Sequence, residues 1–541
     1  MKSLKWIIPV VLLVIIGFVL SYFWKDTTNP YTFNPLSIKG CDLTVPEDAI
    51  PTFTEVNIDF THQFDADHSL PVMAACLIDI DNDGTDELFI GGGNNQADGL
   101  FQYTKNGFEN ISEKASLPSK SGNSLGAVSY DLDQNGFTDI IVCRDDKVEI
   151  LLNNNGRFTK REIDTHLNEK STPLSLTLGD INRDGFIDIF VAGYIKKELM
   201  TGQTIFNDKT YGGSSVLLLN NGDNTFKDIT KSAGLAYIHN TFQGVLVDVN
   251  KDNLLDLVVA YDTGEPRIYL NKDGLTFTLK NNPLSGKYSY PMGIALGDYD
   301  NNQTVDLFFS NTGTSVPEML AKGDLTDNQE LFTDWILFNN DGNGGFSNTA
   351  KKAHIADFEF SWGAIFEDFN LDGKQDLAVA ENYIAFPPQM LFKLPCRFLL
   401  QQENNIFAAV EEQAGVVNKN YAITPLSSDF NKDGYPDLIY ANLNGPVKVF
   451  LSKGGEANFV KIIMPDQAKY IGATVTAVSE LGTQTNYNII GEGLCSDQSN
   501  TIIFGFGNQE KIQSVTVTNI LGEQQVFEQV ENKSSIKIEA K

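Results

Sequence analysis

Beyond residue 52 the apolar positions fall in short runs rather than in long amphipathic stripes. Val72–Ile78, Leu88–Ile90, Ile140–Val142, Leu257–Val259 and Gly293–Leu296 are strand-length blocks, and acidic segments separate them. The blocks recur in a fixed order. An apolar strand leads into an acidic loop, a second strand follows, and a third ends at an Asn/Gly turn. Examples are Val216–Asn220 before Asn221 and Gly222, and Ile336–Asn340 before Asp341 and Gly342. A Phe-led fourth strand closes each unit, beginning at Phe108, Phe158, Phe226, Phe277, Phe346 or Phe407. Asn-Gly and Asp-Gly between apolar runs favour tight hairpins. The pattern therefore predicts repeated four-stranded antiparallel units. Two further Phe-led strands start at Phe53 and Phe459. Phe53 precedes the first acidic loop and has no unit of its own, so Phe53–Asp59 is expected to complete the unit built from 423–452 and leave no open edge.

The acidic loop is written seven times with one spacing: oxygen-bearing side chains at positions 1, 3, 5 and 9 and, in most copies, glycine at position 6. The first copy is Asp79, Asp81, Asp83 and Glu87, around Gly84. The second is Asp131, Asp133, Asn135 and Asp139, and the third Asp180, Asn182, Asp184 and Asp188. The fourth is Asp248, Asn250, Asp252 and Asp256, and the fifth Asp298, Asp300, Asn302 and Asp306. The sixth is Asp368, Asn370, Asp372 and Asp376, and the seventh Asp429, Asn431, Asp433 and Asp437. This spacing wraps a short loop around one hard cation, and Ca²⁺ takes six to eight such oxygens in irregular geometry. Up to seven Ca²⁺ are expected, least strongly in the fifth copy, where Gln303 stands at the glycine position. The competing reading is acidic hairpin turns, since Asp and Asn favour turns without any metal. Successive copies start 52, 49, 68, 50, 70 and 61 residues apart. Units of about 50 residues, each of four strands, predict an all-β fold with a seven-bladed β-propeller over 53–457.

Composition sharpens this picture. The 541 residues carry a formal charge of −30. Twenty-two of the 70 acidic residues lie in the seven loops, and without them the balance falls to −8. The acidity is mostly local ligand charge, and no nucleic-acid partner is expected because phosphate contacts need a basic face. Cys41, Cys76, Cys143, Cys396 and Cys495 form no CxxC pair. Cys76 and Cys143 sit in apolar runs and read as core thiols, while a bridge among the other three stays open. The five histidines are scattered. No HExxH, GxSxG or phosphate-binding glycine loop is present, so no enzyme is expected.

The N-terminus differs from the rest. Residues 1–5 read as a cytoplasmic tail, and 6–24 as an uncharged apolar transmembrane anchor with aromatic ends. Cleavage of this segment as a signal, giving a secreted protein, is the alternative. Residues 25–52, with four prolines, read as a linker. The bulk is expected outside the cytoplasm, periplasmic or extracellular. Residues 458–541 lack the acidic loop and read as a small β-sandwich-like module. Its strands are expected at Val460–Met464, Ala473–Val478, Tyr487–Ile490, Thr501–Phe504, Ser514–Val517 and Ser535–Ile538.

Connections in such a unit alternate between the two ends of the sheet. The three long second-to-third connections, roughly Gly193–Ser214, Asn311–Asp334 and Glu381–Cys396, should therefore crowd the face opposite the acidic loops. They carry Tyr194, Phe206, Tyr211, Met319, Leu320, Tyr383, Phe386, Met390 and Phe392. A protein or glycan ligand is expected there, with mutual packing of the insertions as the plainer alternative.

The acidic repeats resemble the FG-GAP or VCBS-type repeats of integrin α-subunit propellers, and the whole arrangement is similar to the cartilage acidic protein family. Phe53-Thr-Glu-Val56 with Ile58-Asp-Phe-Thr-His62 resembles that family's opening motif. Ile471-Gly-Ala-Thr-Val475, Gly491-Glu-Gly-Leu-Cys-Ser-Asp-Gln-Ser499 and Phe504-Gly-Phe-Gly507 resemble its ASPIC/UnbV domain. The resemblance implies extracellular calcium-binding repeats and an adhesion or matrix role, without a catalytic reaction. The expected function is a membrane-tethered calcium-binding scaffold that displays a ligand-binding surface. The alternatives are a structural or assembly subunit of an envelope complex and, behind it, a propeller-based enzyme.

Overall fold

The computed structural model describes residues 43–120, 122–201, 205–313, 321–342, 344–383, 393–509 and 511–539. The apolar run 6–24 and Cys41 lie outside them. Among the described residues no helix is long and apolar enough to cross a membrane.

Seven sheets of four antiparallel strands follow one another, consistent with a propeller. The first runs Ala75–Ile78, Glu87–Ile90, Gly99–Thr104 and Gly107–Asn110. The next begins with Ser124–Tyr130, followed by sheets opening on Ser171–Gly179, Thr241–Val247, Ile294–Gly297 and Ser361–Glu367. The last is assembled from both ends of the series. Ala422–Ser428, Asp437–Asn442 and Pro446–Ser452 take Phe53–Thr61 as their fourth strand, antiparallel, with Phe53 opposite Ser452. Phe459–Ile463 pairs elsewhere, with Thr501–Gly505 and Ser534–Lys537. The opening strands of successive sheets lie side by side, and Ala422–Ser428 of the last lies against Ala75–Ile78 of the first.

Why these segments become strands is visible in their burial. The opening strands are buried on both faces, so polar residues such as Thr172, Ser175 and Thr177 of Ser171–Gly179 are enclosed with the leucines between them. Apolar clusters fill the spaces between neighbouring sheets. Cys76 and Phe89 of the first sheet pack on Ala127, Ile140, Val142 and Phe158 of the second. The Phe-led strands have a positional reason. The N–H of Phe158 donates to the Ala115 carbonyl, of Phe277 to Ala233 and of Phe407 to Ala353. Each tie hooks one sheet's last strand onto a helical turn that follows the sheet before it.

Residues beyond 458 form two sheets around their own core. The three-stranded sheet of Phe459–Ile463 faces a four-stranded one with the order Gly482–Tyr487, Thr474–Ser479, Ile512–Thr518 and Gln524–Val530. Val460, Ile462 and Phe504 meet Val475, Val515 and Val517 between them. Gln524–Val530 and most of Gly482–Tyr487 escape the sequence reading. They are the two edge strands of their sheet, built largely from Gln, Thr, Asn and Glu, so no apolar run marks them.

This unit also enters the ring. Ser496–Asp497 adds to Ala75–Ile78 as a parallel fifth strand. Ile490 bridges to Leu178, and Gly493 to Ile294. The Cys495 carbonyl accepts from the N–H groups of Ala75 and Ala127, and the Gln243 amide donates to the Gly491 carbonyl. Segment 490–498 thus touches the opening strands of several sheets at once. Cys76, Cys143, Cys396 and Cys495 are buried free thiols.

Phe53 stands edge-on to Phe398 at 5.6 Å and to Phe369 at 6.4 Å. Phe53→Ala is expected to lower unfolding stability by about 3–5 kcal/mol, measured by denaturant titration. A chain lacking 53–61 should expose Pro446–Ser452 as an edge and self-associate in light scattering.

Candidate metal centres

Each acidic loop joins the first and second strands of its sheet and is built on one frame. The position-1 aspartate accepts backbone N–H groups from positions 5 and 6. Asp79 takes Asp83 and Gly84, Asp131 takes Asn135 and Gly136, and Asp180 takes Asp184 and Gly185. Asp248, Asp368 and Asp429 repeat the pair, and across these six loops the bonds measure 2.6–3.2 Å. The backbone turns left-handed at position 6, where Gly84, Gly136, Gly185, Gly373 and Gly434 sit with Asn253 and Gln303. Position 4 is left-handed too, and there no glycine helps: Asn82, Gln134, Arg183, Lys251, Asn301, Leu371 and Lys432 all have φ between 55° and 61° or so, Lys251 at 60°. Each such residue costs roughly 1–2 kcal/mol, so the loop is held in shape by its hydrogen bonds against local preference.

The position-9 carboxylate has a second role that the spacing alone does not reveal. One oxygen accepts the N–H of position 2: Ile80 on Glu87, Leu132 on Asp139, Ile181 on Asp188, Val249 on Asp256, Tyr299 on Asp306, Phe369 on Asp376 and Phe430 on Asp437. In the last six, the other oxygen accepts an N–H at the end of the third strand, at 2.7–2.8 Å: Asn153, Asn220, Asn271, Asn340, Gln401 or Ser452. One carboxylate therefore joins the loop, the second strand and the third.

The third-strand amides then reach the preceding sheet. Asn153 donates to the Ile80 carbonyl, Asn271 to Ile181, Asn340 to Val249 and Gln401 to Tyr299, each at position 2 of the loop before. The sequence pattern places Asn340 at the end of its third strand and does not single out Asn153 or Asn271. The signal available was their constant place, two or three residues ahead of Gly156, Gly274 and Gly342. Position 4 adds further ties, from Asn82 to the Gly136 carbonyl, Arg183 to Asn253 and Asn301 to Gly373.

Carboxylate oxygens converge to within 4.8 Å in three loops, at Asp79, Asp81 and Asp83, at Asp131, Asp133 and Asp139, and at Asp298, Asp300 and Asp306. Asn182, Asn250 and Asn431 turn their amides onto Asp184, Asp252 and Asp433 of their own loops, and Asn135 and Asn302 onto the Asn153 and Asn340 carbonyls. Asp372 and Asn370 flank Asp368 through the bond from the Asp372 N–H. The donor set is entirely hard oxygen, which suits Ca²⁺ or Mg²⁺. The fifth loop adds an observation of its own. Asp298 Oδ1 is buried without a hydrogen-bond partner of good geometry, and so is the nearby Thr485 hydroxyl. A buried carboxylate oxygen left over in this way fits a cation.

Burial is the main force on the ionisation of these groups, with neighbouring carboxylates adding to it. Glu87 is pushed up to about 8, Asp139 to about 7, and Asp188 and Asp256 to about 8. Asp306 rises to about 9 and Asp437 to about 8, and Asp368 and Asp376 are also raised.

The face with the long insertions is interlocked. The Asp324 carboxylate accepts the N–H groups of Phe206 and Asn207 at 2.7 Å each, joining the insertion of the third sheet to that of the fifth. Phe206 lies against Tyr288 and His239, and the Arg267 guanidinium stands 3.9 Å over the Tyr237 ring. Tyr194 bonds Asp262. Met319, Leu320, Phe386, Met390 and Phe392 lie outside the described residues.

With this geometry in place, comparison with known proteins gives a class. The chain matches the FG-GAP-like repeat family over 79–142, 131–191 and 248–309, and the ASPIC and UnbV family over 465–541. It carries FG-GAP-like repeats followed by an ASPIC and UnbV domain. Among curated proteins it is similar to cartilage acidic protein 1 of Homo sapiens, 27% identical over 260 residues, which cover 44% of this chain and 38% of that protein. The Xenopus tropicalis protein is 28% identical over 188 residues, 34% of this chain and 27% of that one. The matched part thus spans well under half of either relative. Among solved structures, a Bacillus licheniformis rhamnogalacturonan lyase aligns with a TM-score of 0.40 and 10% identity, over 75% of this chain and 76% of that one. The V. cholerae biofilm matrix protein Bap1 aligns with a TM-score of 0.30 and 12% identity, over 88% and 76%. Likenesses this slight carry no argument about function.

Two outcomes are expected. Asn271→Ala and Asn340→Ala should each cost about 1–3 kcal/mol, because a buried carbonyl on the preceding sheet loses its donor. Chemical denaturation measures it. In chelated protein the raised carboxylates bind protons more tightly folded than unfolded. Stability should therefore be highest near pH 4 and fall as pH rises toward 8. A denaturation series across that range in chelator, repeated with Ca²⁺, reads the slope and its removal by metal.

Proposed function

We propose that this chain is an exported scaffold: a closed seven-bladed propeller, stiffened by Ca²⁺ in its acidic loops, that presents a surface for a protein or glycan ligand. The observation that carries the metal reading is the repeated frame. Backbone N–H groups of the turn hold the position-1 aspartate, and in three loops carboxylate oxygens gather beside it. The buried Asp298 Oδ1, with the Thr485 hydroxyl beside it, supports it further. Position 1, 3, 5 and 9 side chains would hold the ion. Its contribution would be charge neutralisation, since three or four carboxylates in one loop repel one another.

Each bound ion would stabilise the folded chain by RT ln(1 + [Ca]/Kd), about 2.7 kcal/mol at a hundredfold excess. Extracellular modules bind Ca²⁺ with Kd on the order of 10⁻⁴–10⁻³ M, which matches the supply outside the cytoplasm. The apolar segment 6–24 would tether the scaffold to a membrane, with secretion after cleavage as the other route. The similarity to cartilage acidic protein 1 favours a role in binding over a role in catalysis. An assembly subunit of an envelope complex is the second reading, favoured by the buried insertion of 490–498, which joins the C-terminal unit to the repeats. Catalysis ranks last, because none of the nucleophile or metal-hydrolase motifs is present.

Thermal unfolding of residues 26–541 in chelator, then with rising Ca²⁺ and with Mg²⁺ as control, tests the proposal. A Ca²⁺-selective rise in Tm is expected, and Asp131→Asn and Asp298→Asn should each lower the number of bound ions by one. Absence of both effects would reduce the loops to acidic turns. A glycan array and a pull-down from solubilised membranes separate the two classes of ligand.

A further inference from the structure

The seven loops share one frame, but the seventh has an additional occupant. Lys461 projects from Phe459–Ile463, the first strand of the C-terminal unit, and its ammonium is ion-paired to Asp429 at position 1 of that loop. The pair is enclosed, with Lys461 15% and Asp429 4% exposed. Among the described residues, no other position-1 aspartate has an ion pair with a lysine or arginine. The neighbourhood is built around this contact. Phe459 covers Gly434 so closely that a β-carbon there would collide with its ring. Phe459 also packs with Tyr435, Leu371 and Ile503, and the Ala457 N–H donates to the Tyr435 hydroxyl at 2.7 Å. Lys461 is held on its strand by pairing to Ile503 on one side and Ser535 on the other.

We propose that the seventh loop is filled by the Lys461 ammonium in place of a divalent cation, making it a protein-supplied cationic joint between the repeats and the C-terminal unit. This rests on the calcium reading of the other loops. The physical case is competition. A tethered ammonium needs no association from solution, whereas Ca²⁺ must be captured by a loop of modest affinity, with Kd on the order of 10⁻⁴–10⁻³ M. The ammonium is already enclosed and paired with Asp429, so a metal ion would have to break that pair and push the side chain out of the loop. The consequence is a division of labour: six loops sense calcium, and the seventh holds the C-terminal unit in place whether or not calcium is present.

The test counts bound calcium per folded chain by elemental analysis, at saturating Ca²⁺, in the wild-type chain and in Lys461→Met. The variant is expected to bind one more ion than the wild type, and the gain should vanish in Lys461→Met/Asp429→Asn. Equal, non-zero counts in wild type and Lys461→Met would overturn the inference and leave the calcium reading intact, as would seven ions on the wild type. No calcium on either protein would overturn the calcium reading, and this inference with it. Should Lys461→Met fail to fold, lysine acetylation of the wild type followed by mass spectrometry decides. Lys461 should be equally protected in chelator and in Ca²⁺, and labelling that rises with Ca²⁺ would show displacement and overturn the proposal.

Discussion

A buried carboxylate at the start of each second strand is the constraint on which the rest of the molecule depends. From Asp139 to Asp437 this group accepts one N–H from inside its acidic loop and one from the end of the third strand. An apolar residue there would leave two buried donors without partners, at about 1–3 kcal/mol apiece. The loop cannot move without the sheet, nor the sheet without the loop. The third-strand amides extend the connection to the sheet before at four junctions, tying the second sheet to the first and the fourth, fifth and sixth each to its predecessor.

Those hydrogen bonds hold the loops in shape without any ion. Two left-handed residues in every loop, one of them never glycine, are conformations the chain would not adopt alone. The acidic side chains are brought together at the cost of repulsion and of raised proton affinity. A cation relieves both, which is why the calcium proposal and the pH dependence of the metal-free protein have one physical source.

The two ends of the described chain fasten the structure. Phe53–Thr61 completes a sheet formed by residues almost 400 positions later, and segment 490–498 joins opening strands of the first, third and fifth sheets. Neither contact is local, and each removes an edge or a polar gap that the repeats by themselves would leave. The C-terminal unit is accordingly both a domain with its own core and a part of the repeats' core. The carboxylates of Glu492 and Asp497, each pushed up by burial to about 8 and about 7, are enclosed at that junction.

The sequence by itself determined the strands of the repeats, their grouping in fours, the seven loops and the donation of the first strand to the last sheet. These depend on periodicities of two residues and of about fifty, and on residue types that suit one backbone conformation. Only the tertiary structure decided what the repeated polar residues do. Asn153, Asn271 and Asn340 look like ordinary strand ends until the preceding sheet places a carbonyl against them. Lys461 looks like an ordinary strand lysine until the fold sets it against Asp429. Gly491 and Cys495 look like loop residues until the opening strands close around them. The reason is that a hydrogen bond or an ion pair is specified by two partners. One-dimensional patterning records the preference of each residue for its own backbone and its own degree of burial, but it carries no record of which distant residue will stand opposite.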